Sequence, residues 1–182
     1  MSGAYAIADQ KVVDYQLYFL SPEIIDRRIN TKLLLRGPRP KNLQNDQYFV
    51  CVGGAQTFGR FCKKPYPTLL QERLALQTLN LGYGGAGPSF FSNDNEKLMK
   101  YINNARFAVI QVMSGRSASN SLFDSVGVGF YIRKSNGIGI GADDAFKELV
   151  AQGDEDFLKK IVSETRQNWI KNFEYLLKQI KI

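Results

Sequence analysis

Histidine is absent from this 182-residue chain. The side chain most often used as a general base is therefore missing, and a Ser-His-Asp mechanism cannot run within one copy. Two cysteines are too few for a disulfide framework. No His/Cys cluster has metal-ligand spacing, so zinc is not expected, while carboxylate ligands for magnesium stay open. No run of about 18 apolar residues occurs, so no membrane-spanning helix is expected. Residues 1–8 carry neither a basic segment nor a sustained apolar one, so a cleaved signal peptide is not expected. Together these absences predict a reduced, cytoplasmic protein with two free thiols.

What is present reads as globular, and the chain is long enough to bury a core. Its formal charge of +7 favours anionic partners, either an anionic small molecule or an acidic glycan. The basic residues are spread, and runs such as Arg27-Arg28, Lys63-Lys64 and Lys159-Lys160 are no longer than pairs, so nucleic acid is not the expected partner. A protein partner or a homo-oligomer is compatible with the sequence.

Residues 1–46 read as an irregular lead-in and residues 47–182 as an α/β domain. In the lead-in, residues 12–20 suit a strand or a short helix. Ser21 as N-cap and Pro22 at the first helical position predict a helix over residues 23–30. Residues 36–41 read as a basic Pro/Gly loop. From Gln47 strands and helices alternate. Strands are predicted over residues 48–52, 78–81 and 107–113. The last is an apolar run broken only by Gln111, as suits a parallel strand buried on both faces. Helices are predicted over residues 66–77, with Leu69, Leu70, Leu74 and Leu76 as the apolar face, and over 93–104, capped by Asn93 or Asp94. A fourth strand is expected over 128–133. A helix over 142–152 has Asp143-Asp144 as its cap. A long amphipathic helix then runs from Asp154 to about Gln179, its acidic first turn and basic end matching the macrodipole. Residues 180–182 stand where an α/β protein would enter its next strand, so the domain is expected to lack its C-terminal part.

Three strand ends are marked by glycine. Residues 53–59 read Gly-Gly-Ala-Gln-Thr-Phe-Gly, residues 80–85 read Asn-Leu-Gly-Tyr-Gly-Gly, and residues 115–117 read Gly-Arg-Ser. Ligands in open α/β sheets sit at the strands' carboxyl ends. In the first loop, the amides of Gly54, Ala55, Gln56 and Thr57 lie close in sequence to Arg60, Lys63 and Lys64. Glycine amides, a helix start and three cations favour a phosphate, sulfate or carboxylate. Arg116 is expected to face the same crevice, and Gly82, Gly85, Gly115 and Ser117 complete the candidate ligand-binding set. The plainer alternatives are solvated lysines, a structural ion pair at Arg116, tight-turn glycines, and backbone-capping roles for Ser114, Ser117, Ser119 and Ser121.

In order and spacing, the three strand ends resemble the first three sequence blocks of the SGNH hydrolase superfamily, over residues 47–120. The resemblance implies a three-layer flavodoxin-like α/β fold with a short parallel sheet. It also implies ester or carbohydrate acyl chemistry. The departures change the function expected. Ala55 stands at the nucleophile's place and Gly54 at the preceding aspartate's. Ser117, or a displaced Asn120, stands for the oxyanion asparagine. The closing Asp/His block has no counterpart. The chain also resembles uncharacterised bacterial variants of this domain, and some divergent members in capsule biosynthesis bind coenzyme A. On that resemblance the expected role is polysaccharide modification by acyl or sulfo transfer, with coenzyme A or a sulfated nucleotide as the anionic donor. The alternative is a non-catalytic pseudoenzyme that binds a carbohydrate or a protein partner.

Overall fold

A computed structural model describes residues 13–22, 24–26, 31–92 and 96–182. They form a mixed α/β structure in two compact units. One is drawn from Met1–Tyr83, Asn95–Val112 and Ile180–Ile182, the other from Gly84–Asp94 and Met113–Gln179.

The first unit opens with β1 (Leu17–Phe19), β2 (Ile25–Asp26), β3 (Thr31–Lys32) and β4 (Leu34–Arg36). They form two antiparallel pairs, β1 with β4 and β2 with β3. The helix expected over residues 23–30 is therefore replaced by strand at residues 25–26; Glu23 and residues 27–30 lie outside the described residues. Ser21 and Pro22 make a turn, closed by the Ile24 N–H on the Ser21 carbonyl at 3.3 Å. Ile24, Leu33 and Leu35 are buried. Burial of apolar side chains through pairing across the segment outweighs a local capping signal.

The core of this unit is a three-stranded parallel sheet. Its centre, β5 (Tyr48–Gly53), is buried at every residue. Strands covered on both faces favour continuous apolar sequence, and Tyr48-Phe49-Val50-Cys51-Val52 supplies it. After β5 come the one-turn helix α1 (Ala55–Phe58) and α2 (Tyr66–Leu74). β6 (Gln77–Gly82) follows and pairs with β5 from Tyr48↔Gln77 to Gly53↔Gly82. The chain next makes α3 (Pro88–Ser92), which belongs to the second unit, and then α4 (Glu96–Asn103). The proposed caps of α4, Asn93 and Asp94, lie outside the described residues. β7 (Ala108–Ile110) pairs with the other side of β5. The strand order is β6-β5-β7, so the sequence-first strand lies between the second and the third.

Two expectations are corrected here. α2 stops at Leu74, where Ala75 takes a left-handed cap. Leu69 and Leu74 are 44% and 50% exposed, and the buried anchor of this helix is Pro67. β7 is shorter than residues 107–113 and only half-buried. It ends where Gln111 turns its side chain into the loop after β5.

The second unit contains a 3-10 turn (Gly115–Ser117) and the antiparallel strands β8 (Phe123–Ser125), β9 (Phe130–Arg133) and β10 (Gly139–Gly141), ordered β10-β9-β8. Helices α5 (Ala142–Ala151) and α6 (Glu155–Gln179) follow. Phe123, Tyr131, Ala142, Ala145, Leu149 and Ile161 form its core, with the Phe123 and Tyr131 rings stacked at 5.1 Å. The N-cap of α5 is Gly141 rather than an aspartate. Asp143 and Asp144 sit in its first turn, where negative charge complements the dipole. α6 has no glycine or proline over its 25 residues. The Asp154 carboxylate accepts the Phe157 N–H at 2.9 Å, the capping bond expected of aspartate. Ile161, Thr165 and Leu176 face inward; Val162 and Leu177 are exposed. Among the described residues no helix is long and apolar enough to cross a membrane.

Candidate functional site

The loop after β5 is fastened by one side chain. Gln111 Oε1 accepts hydrogen bonds from Gly54 N–H (3.1 Å), Thr57 N–H (3.2 Å) and the Thr57 hydroxyl (2.7 Å). Its Nε2 donates to Gln56 Oε1 at 3.0 Å. Three donors aimed at one oxygen fix the orientation of the amide, because its NH2 end would oppose all three. Since the Thr57 hydroxyl proton is committed to Gln111, Tyr66 O–H donates to Thr57 Oγ1 across 3.0 Å. Asn80 ties the other side. Its Nδ2 donates to the Thr57 carbonyl at 3.0 Å, and its Oδ1 accepts Gly82 N–H at 2.8 Å.

Gly82 stands where β6 passes α1. A Cβ there would lie 2.0 Å from Phe58 N and 2.4 Å from the Thr57 carbonyl carbon. Only glycine permits that backbone approach. Ala55 is the first residue of α1, and its carbonyl accepts the Gly59 and Arg60 N–H groups. A methyl group stands where a nucleophile would be needed.

Two nearby groups with ionisable protons are held neutral. Burial pushes the Cys51 thiol up to about 11, against weaker opposing hydrogen bonds from Thr78 and Tyr66. Burial also pushes Tyr66 up to about 12. A thiol with the value of Cys51 supplies almost no thiolate at neutral pH, so Cys51 is not a ready nucleophile.

Beyond α1 lies the basic loop. Its organiser is Arg36 at the end of β4, which is only 2% exposed. Its guanidinium donates to the carbonyls of Gly59, Cys62 (2.6 Å) and Lys63 (3.1 Å). It also lies over the Tyr15 ring, 4.4 Å from the centroid. No carboxylate pairs with it among the described residues, and burial lowers its proton affinity, with Tyr15 and Cys62 offsetting part of that. An arginine held by carbonyls keeps its positive charge.

Above Arg36 the loop exposes Phe61, Cys62, Lys63 and Lys64. Arg60 lies over the Phe61 ring at 4.8 Å. Lys64 pairs with Glu72 at 2.8 Å in an exposed bridge. Lys63 makes no ion pair among the described residues. No aspartate or glutamate occurs over residues 47–71, so this loop and the turn beneath it are locally positive.

The structure thus brings Gly54, Ala55, Gln56, Thr57 and Gly82 together around Gln111, and places Arg60, Lys63 and Lys64 in the adjoining loop. Gly85, Gly115, Arg116 and Ser117 belong to the second unit. There Gly85 takes a positive φ of 78°. Arg116 pairs with Asp143 at 2.5 Å, both half-exposed. Ser117 is buried and donates to the Ser114 carbonyl at 2.9 Å. Asn120 is also buried. It donates to Thr165 Oγ1 and accepts the Leu122 and Phe123 N–H groups. Ser119 also acts on backbone, its Oγ accepting Ser125 N–H.

Sequence reasoning passed over Gln111, Arg36 and Asn80. The signal for Gln111 was present, as the lone polar residue in the apolar run. A parallel-strand terminus bearing a tightly bonded Gly-Gly turn, in a mixed α/β chain, defines the class. The chain belongs to the family described as Domain of unknown function (DUF6473), whose model matches residues 26–126, more than half of its length. No curated protein and no solved structure matches it.

Proposed function

We propose that the first unit is an anion-binding α/β domain of the three-layer flavodoxin-like type. Its ligand site would be the loop at the carboxyl end of β5, and it would perform no Ser-His-Asp hydrolysis. The observation that carries this reading is the buried Arg36, which arranges an acid-free loop bearing Arg60, Lys63 and Lys64. The strand order supports it, because ligands in doubly wound folds sit at the carboxyl ends of strands where the order reverses. Here that point lies between β5 and β7. The anion would be a phosphate or sulfate group. The resemblance to SGNH hydrolases adds an acyl-coenzyme A or sulfated-nucleotide donor for glycan modification. Positioning and electrostatic stabilisation are then the only catalytic means at hand.

One observation favours the purely binding alternative. The Gln111 amide oxygen already takes the Gly54 and Thr57 donors, the groups an oxyanion would need.

The test is a thermal-shift titration of the full chain with inorganic pyrophosphate and sulfate, beside an ester-hydrolysis assay with p-nitrophenyl acetate. Saturable stabilisation that weakens with salt and is lost in Lys63→Ala, without hydrolysis above background, is the expected result. No response to either anion would overturn the reading.

A further inference from the structure

The basic loop carries an aromatic ring that packing does not explain. Phe61 is 61% exposed, although burying such a ring would ordinarily stabilise the fold. It sits within the five residues Arg60-Phe61-Cys62-Lys63-Lys64, and the Arg60 guanidinium over one face lies 4.8 Å from its centroid. Arg36 holds the carbonyls of Cys62 and Lys63 from below, so the ring stands on an anchored segment. An aromatic plane beside cations is the arrangement that binds a base and its phosphate together. The ring stacks with the base regardless of its identity, and the cations take the charge.

We infer that the residue 60–64 loop binds a nucleoside phosphate, with Phe61 as the stacking surface for the base and Lys63 as the main phosphate contact. This rests on the anion-binding reading and narrows it to a ligand class. A sugar phosphate without a base would keep the charge contact and lose the stacking. Base-aromatic stacking is worth about fivefold in affinity at the low end of its range and more than about a hundredfold at the top.

The experiment is calorimetric titration of the full chain with AMP, ribose 5-phosphate and inorganic pyrophosphate. Wild type is compared with Phe61→Leu, Phe61→Trp and Lys63→Ala, each checked for folding by circular dichroism. Wild type is expected to bind AMP about tenfold more tightly than ribose 5-phosphate. Phe61→Leu should bring AMP down to the ribose 5-phosphate level and leave the latter unchanged. Phe61→Trp should keep the preference, and Lys63→Ala should weaken both ligands. A single-stranded pentanucleotide that binds more tightly than AMP, with the same dependence on Phe61, would support the stacking site and make a strand its occupant. Equal binding of AMP and ribose 5-phosphate, or a preference that survives Phe61→Leu, would overturn this inference while leaving the anion site standing. Failure of all the ligands, pyrophosphate included, would overturn both.

Discussion

Replacing Arg36 by methionine is the most informative perturbation of this molecule. Methionine fills much of the same space and carries neither charge nor donors. Three hydrogen bonds from a charged donor are lost, each worth roughly 1.5–3 kcal/mol. They do not sum, because the Cys62 and Lys63 carbonyls lie in an exposed loop and can bond to water instead. The Gly59 carbonyl lies at a buried residue, and leaving it unpaired costs about 1–3 kcal/mol. The contact with the Tyr15 ring adds about 1 kcal/mol. Against these stands the relief of no longer burying a guanidinium without a carboxylate. The net expectation is a loss of about 2–3 kcal/mol, or roughly 4–12 °C in melting temperature for a chain of this size. Urea unfolding measures the loss. Hydrogen exchange locates it, at the amides of Gly59, Arg60 and Cys62, whose acceptors are the carbonyls of Ala55, Ala55 and Gly59. Pyrophosphate binding should fall with it, since the cations lose their support. An Arg36→Met variant as stable as wild type, with those amides still protected, would refute the claim that Arg36 organises the loop.

Gly82→Ala should destabilise by about 3 kcal/mol or more in urea unfolding, because the new methyl meets backbone at 2.0 Å, an overpacking that side chains cannot relieve. With a colorimetric disulfide reagent, the native protein should release one thiol equivalent, from exposed Cys62. The second, from buried Cys51, should appear only in denaturant. Tyr48, Tyr66 and Tyr131 are each pushed up to about 12 by burial. Folding therefore retains protons that the unfolded chain releases near pH 10. The corresponding stability is full below pH 10 and is lost as pH rises towards 12, so phenolate absorbance at 295 nm should appear together with loss of circular dichroism. Asn120→Ala should cost about 2 kcal/mol, because it leaves the buried Phe123 N–H and the part-buried Leu122 N–H without an acceptor.

The parallel sheet was legible because its central strand is a continuous apolar run and β5 and β6 both end in glycine. Tyr48 to Val52 needed no partner to declare itself, and α6 declared itself through an uninterrupted helical period. Of the small antiparallel strands, β9 lies within the strand expected over residues 128–133, whereas β2 and β8 were not legible. β2 and β8 are two and three residues long, shorter than any periodicity, and each is held by pairing with the next strand in the chain. The helix signal of Ser21-Pro22 was overridden at Ile25–Asp26 by pairing with Thr31–Lys32. In the candidate site, the glycines and lysines of the loop could be read, since their chemistry is visible in composition. Arg36 could not, and Gln111 showed only as a polar break in an apolar run, because each acts across more than 20 residues of sequence, on groups that the fold alone brings near.

That difference also bears on what the turn after β5 can do. In a hydrolase the amides of such a turn stay empty until charge develops on the substrate, since preorganised donors stabilise the transition state best when nothing else satisfies them. Here Gly54 N–H, Thr57 N–H and the Thr57 hydroxyl are all satisfied in the resting protein by Gln111 Oε1. Any anion that displaced this oxygen would first have to break three hydrogen bonds and free the amide from Gln56. Placing a serine there by Ala55→Ser would supply a hydroxyl with no histidine in the chain to take its proton, beside a cradle already full. Such a variant is expected to hydrolyse p-nitrophenyl acetate no faster than wild type. The double variant Ala55→Ser, Gln111→Ala empties the cradle and is still expected to be inactive for want of a base. Turnover by the double variant alone would show that Gln111, rather than the missing histidine, is what silences the turn.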